Sequence, residues 1–167
     1  MLMYHSVVAT GSPEWPWAVS LDRFNRQLDL LSSLGYRTAT MADISAGTTV
    51  ATDAPTVVIS FDDGYVDNLV AVETLFRRGM TATWFIVSGS IGGEPAWPYD
   101  GRPTGRLMNA TELRDLSAAG IEIGSHTVSH CRLTEASDAD LARELADSKS
   151  TLEDVLGREV RSFAYPY

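Results

Sequence analysis

The strongest constraint on this chain is its alternation of short apolar runs with longer helical patterns. Leu2-Met3-Tyr4 reads as a strand. Leu21, Phe24, Leu28 and Leu31 then recur at helical spacing behind the candidate N-cap Ser20, with Gly35 as the stop. Tyr36 to Ala39 predicts a second strand and Thr56 to Phe61 a third. A helix from about Asn68 to Gly79 precedes the strand-like stretch ATWFIV, and a Gly/Pro-rich loop of the sort that carries binding function fills 88–106. Asn109 and Glu112 have capping-box spacing in front of a helix closed by Gly120. Ile121-Glu122-Ile123 is a further strand. A last helix carries Leu141, Leu145, Leu152 and Leu156 on one face up to Gly157, and Ser162-Phe163-Ala164 is the closing strand. Strands separated by helices run parallel with the helices outside, in an open doubly wound sheet or a barrel. Both folds gather chemistry at the carboxyl ends of the strands. Four polar clusters fall there: His5, Asp62-Asp63, His126 with His130, and Tyr165-Pro166-Tyr167.

The bulk properties narrow the function. A length of 167 residues and an apolar fraction of 44% describe one domain, 1–167, with a real core. A formal charge of -9 argues against nucleic acid or an anionic membrane as partner, and is silent about a neutral sugar. The single Cys131 excludes an internal disulfide and a multi-thiolate metal site, and reads as a small packing residue. No apolar run has the length of a membrane span. The opening MLMYHSV has no basic or long apolar segment, which reads as cytoplasmic as written, or as extracytoplasmic or cell-surface if a signal was removed.

Two adjacent carboxylates at a strand end need an explanation, because like charges raise each other's pKa unless a cation or donor intervenes. A solvated turn is one reading, since Asp and Gly are ordinary turn residues. The histidines favour another. His126 and His130 lie four residues apart, and each of the three histidines follows a predicted strand on the same rim. Two imidazoles and one carboxylate match the three protein ligands common in catalytic zinc sites. One aspartate would then hold the metal while its neighbour stays free as a base toward the attacking water. The alternative is a pair of hydrogen-bonded loop histidines.

The segments SFDDGY, SHTVSH and FAYPY, in that order and separation, resemble the polysaccharide deacetylases, the NodB-homology group of carbohydrate esterases. FNRQLDLLSSLGYRTATMADI and ATWFIV are similar to the family's connecting elements, so the resemblance covers essentially the whole chain. It implies an α/β fold, a distorted (β/α) barrel, here incomplete at the C-terminus. It also implies a divalent metal, usually zinc, and hydrolytic removal of acetyl groups from an acetylated poly- or oligosaccharide.

Carried over by position, the resemblance makes Asp62 the catalytic base and Asp63, His126 and His130 the metal ligands. Tyr167 would supply a backbone N–H to the oxyanion. Three departures follow. Ala164 stands where many members carry an arginine that braces the catalytic aspartate, so Asp62 must be oriented otherwise. The chain ends at Tyr167, before the region in which most members place an acid histidine. However, YHSV resembles the circularly permuted branch that includes poly-N-acetylglucosamine deacetylases, which makes His5 the general acid. Finally, about six strands fall short of a closed barrel, which leaves truncation, proteolysis or a second subunit open. Hydrolysis of a non-sugar amide or cyclic imide, and non-catalytic carbohydrate binding, remain alternatives. Trp15, Trp17 and Trp97 read mainly as packing, and Trp97, in the long loop near the rim, is the first candidate among them for stacking on a sugar. The acidic helix after Cys131 reads as a solvated face.

Overall fold

The computed structural model describes residues 1–11, 13, 15–48, 54–97 and 105–167, so part of the Gly/Pro-rich loop lies outside the described residues. Its centre is the parallel pairing that the apolar runs call for. Strand β5 (Thr56–Phe61) pairs with β1 (Leu2–Tyr4), with β4 (Arg37–Ala39) and with β6 (Thr83–Ile86), and β6 pairs with β7 (Glu122–Ser125). β5 and β6 are buried almost throughout, the pattern of strands covered on both faces. Phe61 stacks on Trp84 at 4.1 Å between ring centroids, and Tyr4, Phe24 and Leu28 close over them. Among the described residues this sheet does not close on itself.

The helices begin where their caps allow. Ser20 caps α1 (Leu21–Ser33) by accepting the Arg23 N–H, and α1 buries Phe24 and Leu28. Asn109 and Glu112 form the expected capping box of α4 (Ala110–Ala118). Between them lie α3 (Leu69–Phe76), entered through a 3₁₀ turn over Val66–Asn68, and the short α2 (Met41–Ser45). The sequence reading did not include α2. Thr40 starts it with its own capping box on Asp43, and Glu122 accepts its Ala42 N–H.

Three other elements differ from expectation. Ser6–Val8 (β2) and Ala18–Ser20 (β3) form a separate two-stranded parallel ribbon. Each has three residues, and Ser6, Ala18 and Ser20 deny them the apolar run that marks Leu2–Tyr4. The expected closing strand at Ser162–Ala164 is reduced to a single bridge between Phe163 and Ser125. On the last helix, α5 (Asp138–Leu156), the buried positions are Glu144, Ser148 and Leu152, spaced four apart, while Leu145 is 37% exposed. The leucine stripe misplaced the inward face because two polar side chains occupy it. No described helix is long and apolar enough to cross a membrane.

Candidate active site

Three strand ends deliver the acidic and imidazole groups to one point. After β5 the chain makes a tight turn in which the Gly64 N–H donates to the Asp62 carbonyl at 2.9 Å. Asp63 sits at its centre with φ of 71°, a left-handed conformation that few non-glycine residues adopt. That twist lets two consecutive aspartates avoid pointing to opposite faces, as they would on a continuing strand. Gly64 follows at φ 90°, where a Cβ would come within 3.0 Å of the Ile86 side chain.

After β7, the His126 N–H donates to the Ile86 carbonyl, and the chain again enters the left-handed region at Thr127 (φ 69°) and His130 (φ 59°). The Thr127 hydroxyl accepts the His130 N–H at 2.9 Å. His126 Nδ1 lies 3.0 Å from the Ala164 carbonyl oxygen. A carbonyl only accepts, so Nδ1 carries the proton and Nε2 lies toward Asp63.

The result is a compact donor set. Ligand atoms of Asp63, His126 and His130 all lie within 4.8 Å of one another, and all three residues are buried. Asp63 Oδ1 is 3.1 Å from His130 Nε2 and 3.5 Å from His126 Nε2. With its proton on Nδ1, His126 turns an Nε2 lone pair rather than an N–H toward this oxygen, and among the described residues the buried Asp63 Oδ1 has no hydrogen-bond partner. Such an orphan is costly unless a cation resolves it. Burial alone would raise the Asp63 pKa, but the two imidazoles hold its carboxyl well below the usual carboxylate range. Two imidazole nitrogens and a charged oxygen suit a zinc ion in kind and number.

Asp62 contrasts with its neighbour. It is 6% exposed, and its Oδ1 has no hydrogen-bond partner among the described residues. Burial pushes its pKa up from 3.8 to about 6, with His126 drawing it down and Asp63 adding to the rise. The two carboxylates are therefore driven apart, one held charged and one poised to take a proton, as in acid–base sites generally.

His5, Trp17, Asp62, Asp63, His130 and Tyr167 line a single cleft of about 340 Å³. His5 is carried there by the bend between β1 and β2. The fully buried Asn68 fixes that bend: its Nδ2 donates to the His5 carbonyl at 2.8 Å and its Oδ1 accepts the Val7 N–H at 2.9 Å. The His5 ring packs 5.5 Å from Trp17 and 5.7 Å from Trp15. Tyr167 meets His130 edge-on at 5.1 Å, with the Arg132 guanidinium 4.0 Å from the centre of its ring.

The tryptophans are arranged differently from the sequence reading. Trp97 borders the cleft but is 7% exposed, its ring stacked on His130 at 4.4 Å, so it braces an imidazole. Trp17, read as packing, is 56% exposed on the cleft wall, whereas Trp15 is indeed buried.

Two supporting residues escaped the sequence reading. Asn68 lies at the start of a helix and carries no motif signal toward His5. Glu144 was hidden among the charges of α5. It is buried and accepts from Val128, Ser129 and the Ser129 hydroxyl. Burial works against its charge, and those donors more than compensate, holding its carboxyl below the ordinary value. Its only sequence signal is the four-residue spacing to Ser148 and Leu152.

Comparison with known proteins gives the family and the fold. The family model described as polysaccharide deacetylase matches residues 49–167. The chain belongs to the polysaccharide deacetylase family. YxkH of Bacillus subtilis, a protein named for that family, is 29% identical over 99% of this chain, which spans 55% of YxkH. Among solved structures, the Streptococcus pyogenes deacetylase PplD, determined with acetate, superposes with a TM-score of 0.81 at 24% identity, covering 99% of this chain and 72% of that one. A de-N-acetylase from Aggregatibacter actinomycetemcomitans gives 0.81 at 21% identity, covering 99% and 78%. At such identities the likeness concerns the fold: this polysaccharide deacetylase relative shares the α/β architecture with parallel strands of the deacetylase (β/α) barrels.

Proposed function

We propose that this chain is a metal-dependent hydrolase that removes acetyl groups from N-acetylated sugars of a polysaccharide, with O-acetylated sugars as the alternative. The observation that carries the reading is the buried triad of Asp63, His126 and His130 beside a second buried carboxylate, Asp62, whose pKa is raised to about 6. Asp63, His126 and His130 would hold a divalent ion, zinc first. When bound, that ion supplies positive charge to polarise the acetyl carbonyl and to ease deprotonation of water. The chain's own residues do the rest. Asp62 takes the proton from the attacking water, a task suited to a carboxylate whose affinity for a proton has been increased by burial. Tyr167 lines the cleft where a backbone N–H would meet the developing oxyanion. The leaving nitrogen needs a proton, and His5, on the same cleft and not committed to metal, delivers it. Ala164 supports the site through its backbone, by accepting the His126 ring N–H.

An acetate-release assay on N-acetylglucosamine oligomers, set beside small amides and cyclic imides with zinc present, tests the proposal. Release from the oligomers supports it. Turnover confined to small amides or imides would reassign the substrate, and glycan binding without turnover would make the chain a binding protein.

A further inference from the structure

The imidazoles of His126 and His130 are borne by a turn whose backbone is unfavourable. Both Thr127 and His130 occupy the left-handed region, at φ 69° and 59°, and for the β-branched Thr127 this is a genuine outlier. Such a conformation persists only where its surroundings over-determine it. The surroundings here are specific. From one side, the Ser88 and Gly89 N–H groups donate to the Thr127 and Val128 carbonyls at 3.0 and 2.9 Å. From α5, Ser148 Oγ donates to the Thr127 carbonyl at 3.0 Å.

The two backbone N–H groups in the middle of the turn converge on one atom. Glu144 Oε2 accepts from Val128 N at 2.8 Å and from Ser129 N at 2.9 Å, while Oε1 accepts from Ser129 Oγ at 2.7 Å. Successive N–H groups aimed at one point form an anion-binding concavity, and here a buried side chain of the same protein fills it. A charged acceptor makes these bonds stronger than neutral ones. No other acidic residue of α5 is buried.

We infer that Glu144 is a positioning residue for the metal ligands: by clamping Val128 and Ser129 it holds the turn that sets the separation and aim of the His126 and His130 rings. The inference rests on the metal-site reading above and adds a residue that touches neither metal nor substrate. Because the clamp works through its reach and its acceptor oxygens, its predictions differ from those of a simple loss of charge. Glu144→Ala should weaken zinc affinity by roughly 10- to 100-fold, the usual effect of removing an outer-shell support. Glu144→Gln keeps the reach, one oxygen for both N–H groups and an amide to pair with the Ser129 hydroxyl, so it should retain most of the affinity. Glu144→Asp keeps the charge but withdraws it by one methylene, and should resemble alanine.

The experiment is zinc affinity measured by competition with a chromophoric chelator, together with the visible spectrum of the cobalt-loaded protein, on folded wild type and the three variants. Leu28→Ala, a core truncation in α1 away from the turn, serves as the destabilised control. The expected result is weakened zinc binding and an altered cobalt spectrum in Glu144→Ala and Glu144→Asp, with Glu144→Gln and Leu28→Ala close to wild type. If Glu144→Ala does not fold, the contrast between Asp and Gln decides the matter alone. Equal zinc affinity in Glu144→Asp and wild type, or equal losses in Glu144→Asp and Glu144→Gln, overturns the inference. Wild type that binds neither zinc nor cobalt overturns it too, by removing the metal-site reading beneath it.

Discussion

Replacing Asp62 by asparagine should make the metal-free protein more stable while destroying its activity. The carboxyl is 6% exposed, and burial raises its pKa from 3.8 to about 6. A raised carboxyl favours the fold at low pH, where it is protonated, and that contribution is lost as pH rises through about 6. Above that pH the folded chain carries a buried charge that the unfolded chain would solvate. Integrating between the two pKa values gives a penalty of about 1 kcal/mol near pH 4.5 and about 3 kcal/mol near pH 7.5. An asparagine side chain carries no such charge in either state. Urea unfolding of wild type and Asp62→Asn, both held in excess chelator, should therefore show a higher midpoint for the variant at an unchanged slope. The advantage should grow between pH 4.5 and 7.5. Titrating groups remote from Asp62 cancel in the comparison, while Asp63 and His126, which interact with its charge, contribute to the difference. Zinc binding should survive, since Asp63, His126 and His130 remain, whereas turnover should fall by roughly 10²- to 10⁴-fold with the base removed. A variant that is less stable at both pH values, or whose advantage does not change with pH, would refute the argument that Asp62 is a desolvated base.

The ligand set predicts a different outcome from its own substitutions: His126→Ala, His130→Ala and Asp63→Asn should each lose stoichiometric zinc, and one tightly held metal per chain in any of them, by elemental analysis, would show the assignment to be wrong. His5→Ala should keep fold and metal and lower kcat by roughly 10²- to 10⁴-fold. A general acid is active only while protonated, so the alkaline limb of the pH–rate profile should vanish with it, and near-normal turnover would exclude His5 as the acid. Gly89→Ala would place a Cβ 2.5 Å from the Val128 carbonyl oxygen. It should cost about 1–3 kcal/mol of stability in urea and weaken zinc binding, and wild-type values for both would show that the turn can yield.

The grouping of the candidate site residues was legible because they lie directly at strand ends. Thr56–Phe61 could only be a buried strand, and the aspartates that follow it inherit their position from it. The same holds for His126 after β7. The supporting parts were not legible, for physical reasons. Asn68 acts on His5 across 63 residues of sequence, through backbone groups that leave no side-chain pattern. Glu144 breaks the rule that an acidic residue on an amphipathic helix faces water, because a turn with two spare N–H groups packs against it. Trp15, Trp17 and Trp97 looked alike in sequence, and only packing separated the exposed Trp17 from the other two. The β2–β3 ribbon and α2 are too short for periodicity to register; the ribbon exists through its pairing, and α2 through the Thr40–Asp43 capping box with Glu122 accepting from its first turn.

The most direct test of the central claim is a zinc titration of the metal-stripped protein, followed by acetate release from N-acetylglucosamine oligomers. The account predicts no release without metal, a rise that saturates at one zinc per chain, and no restoration in Asp63→Asn at the same zinc concentrations. Acetate release that proceeds unchanged in excess chelator, or none at any zinc level while the ion is bound, would contradict it.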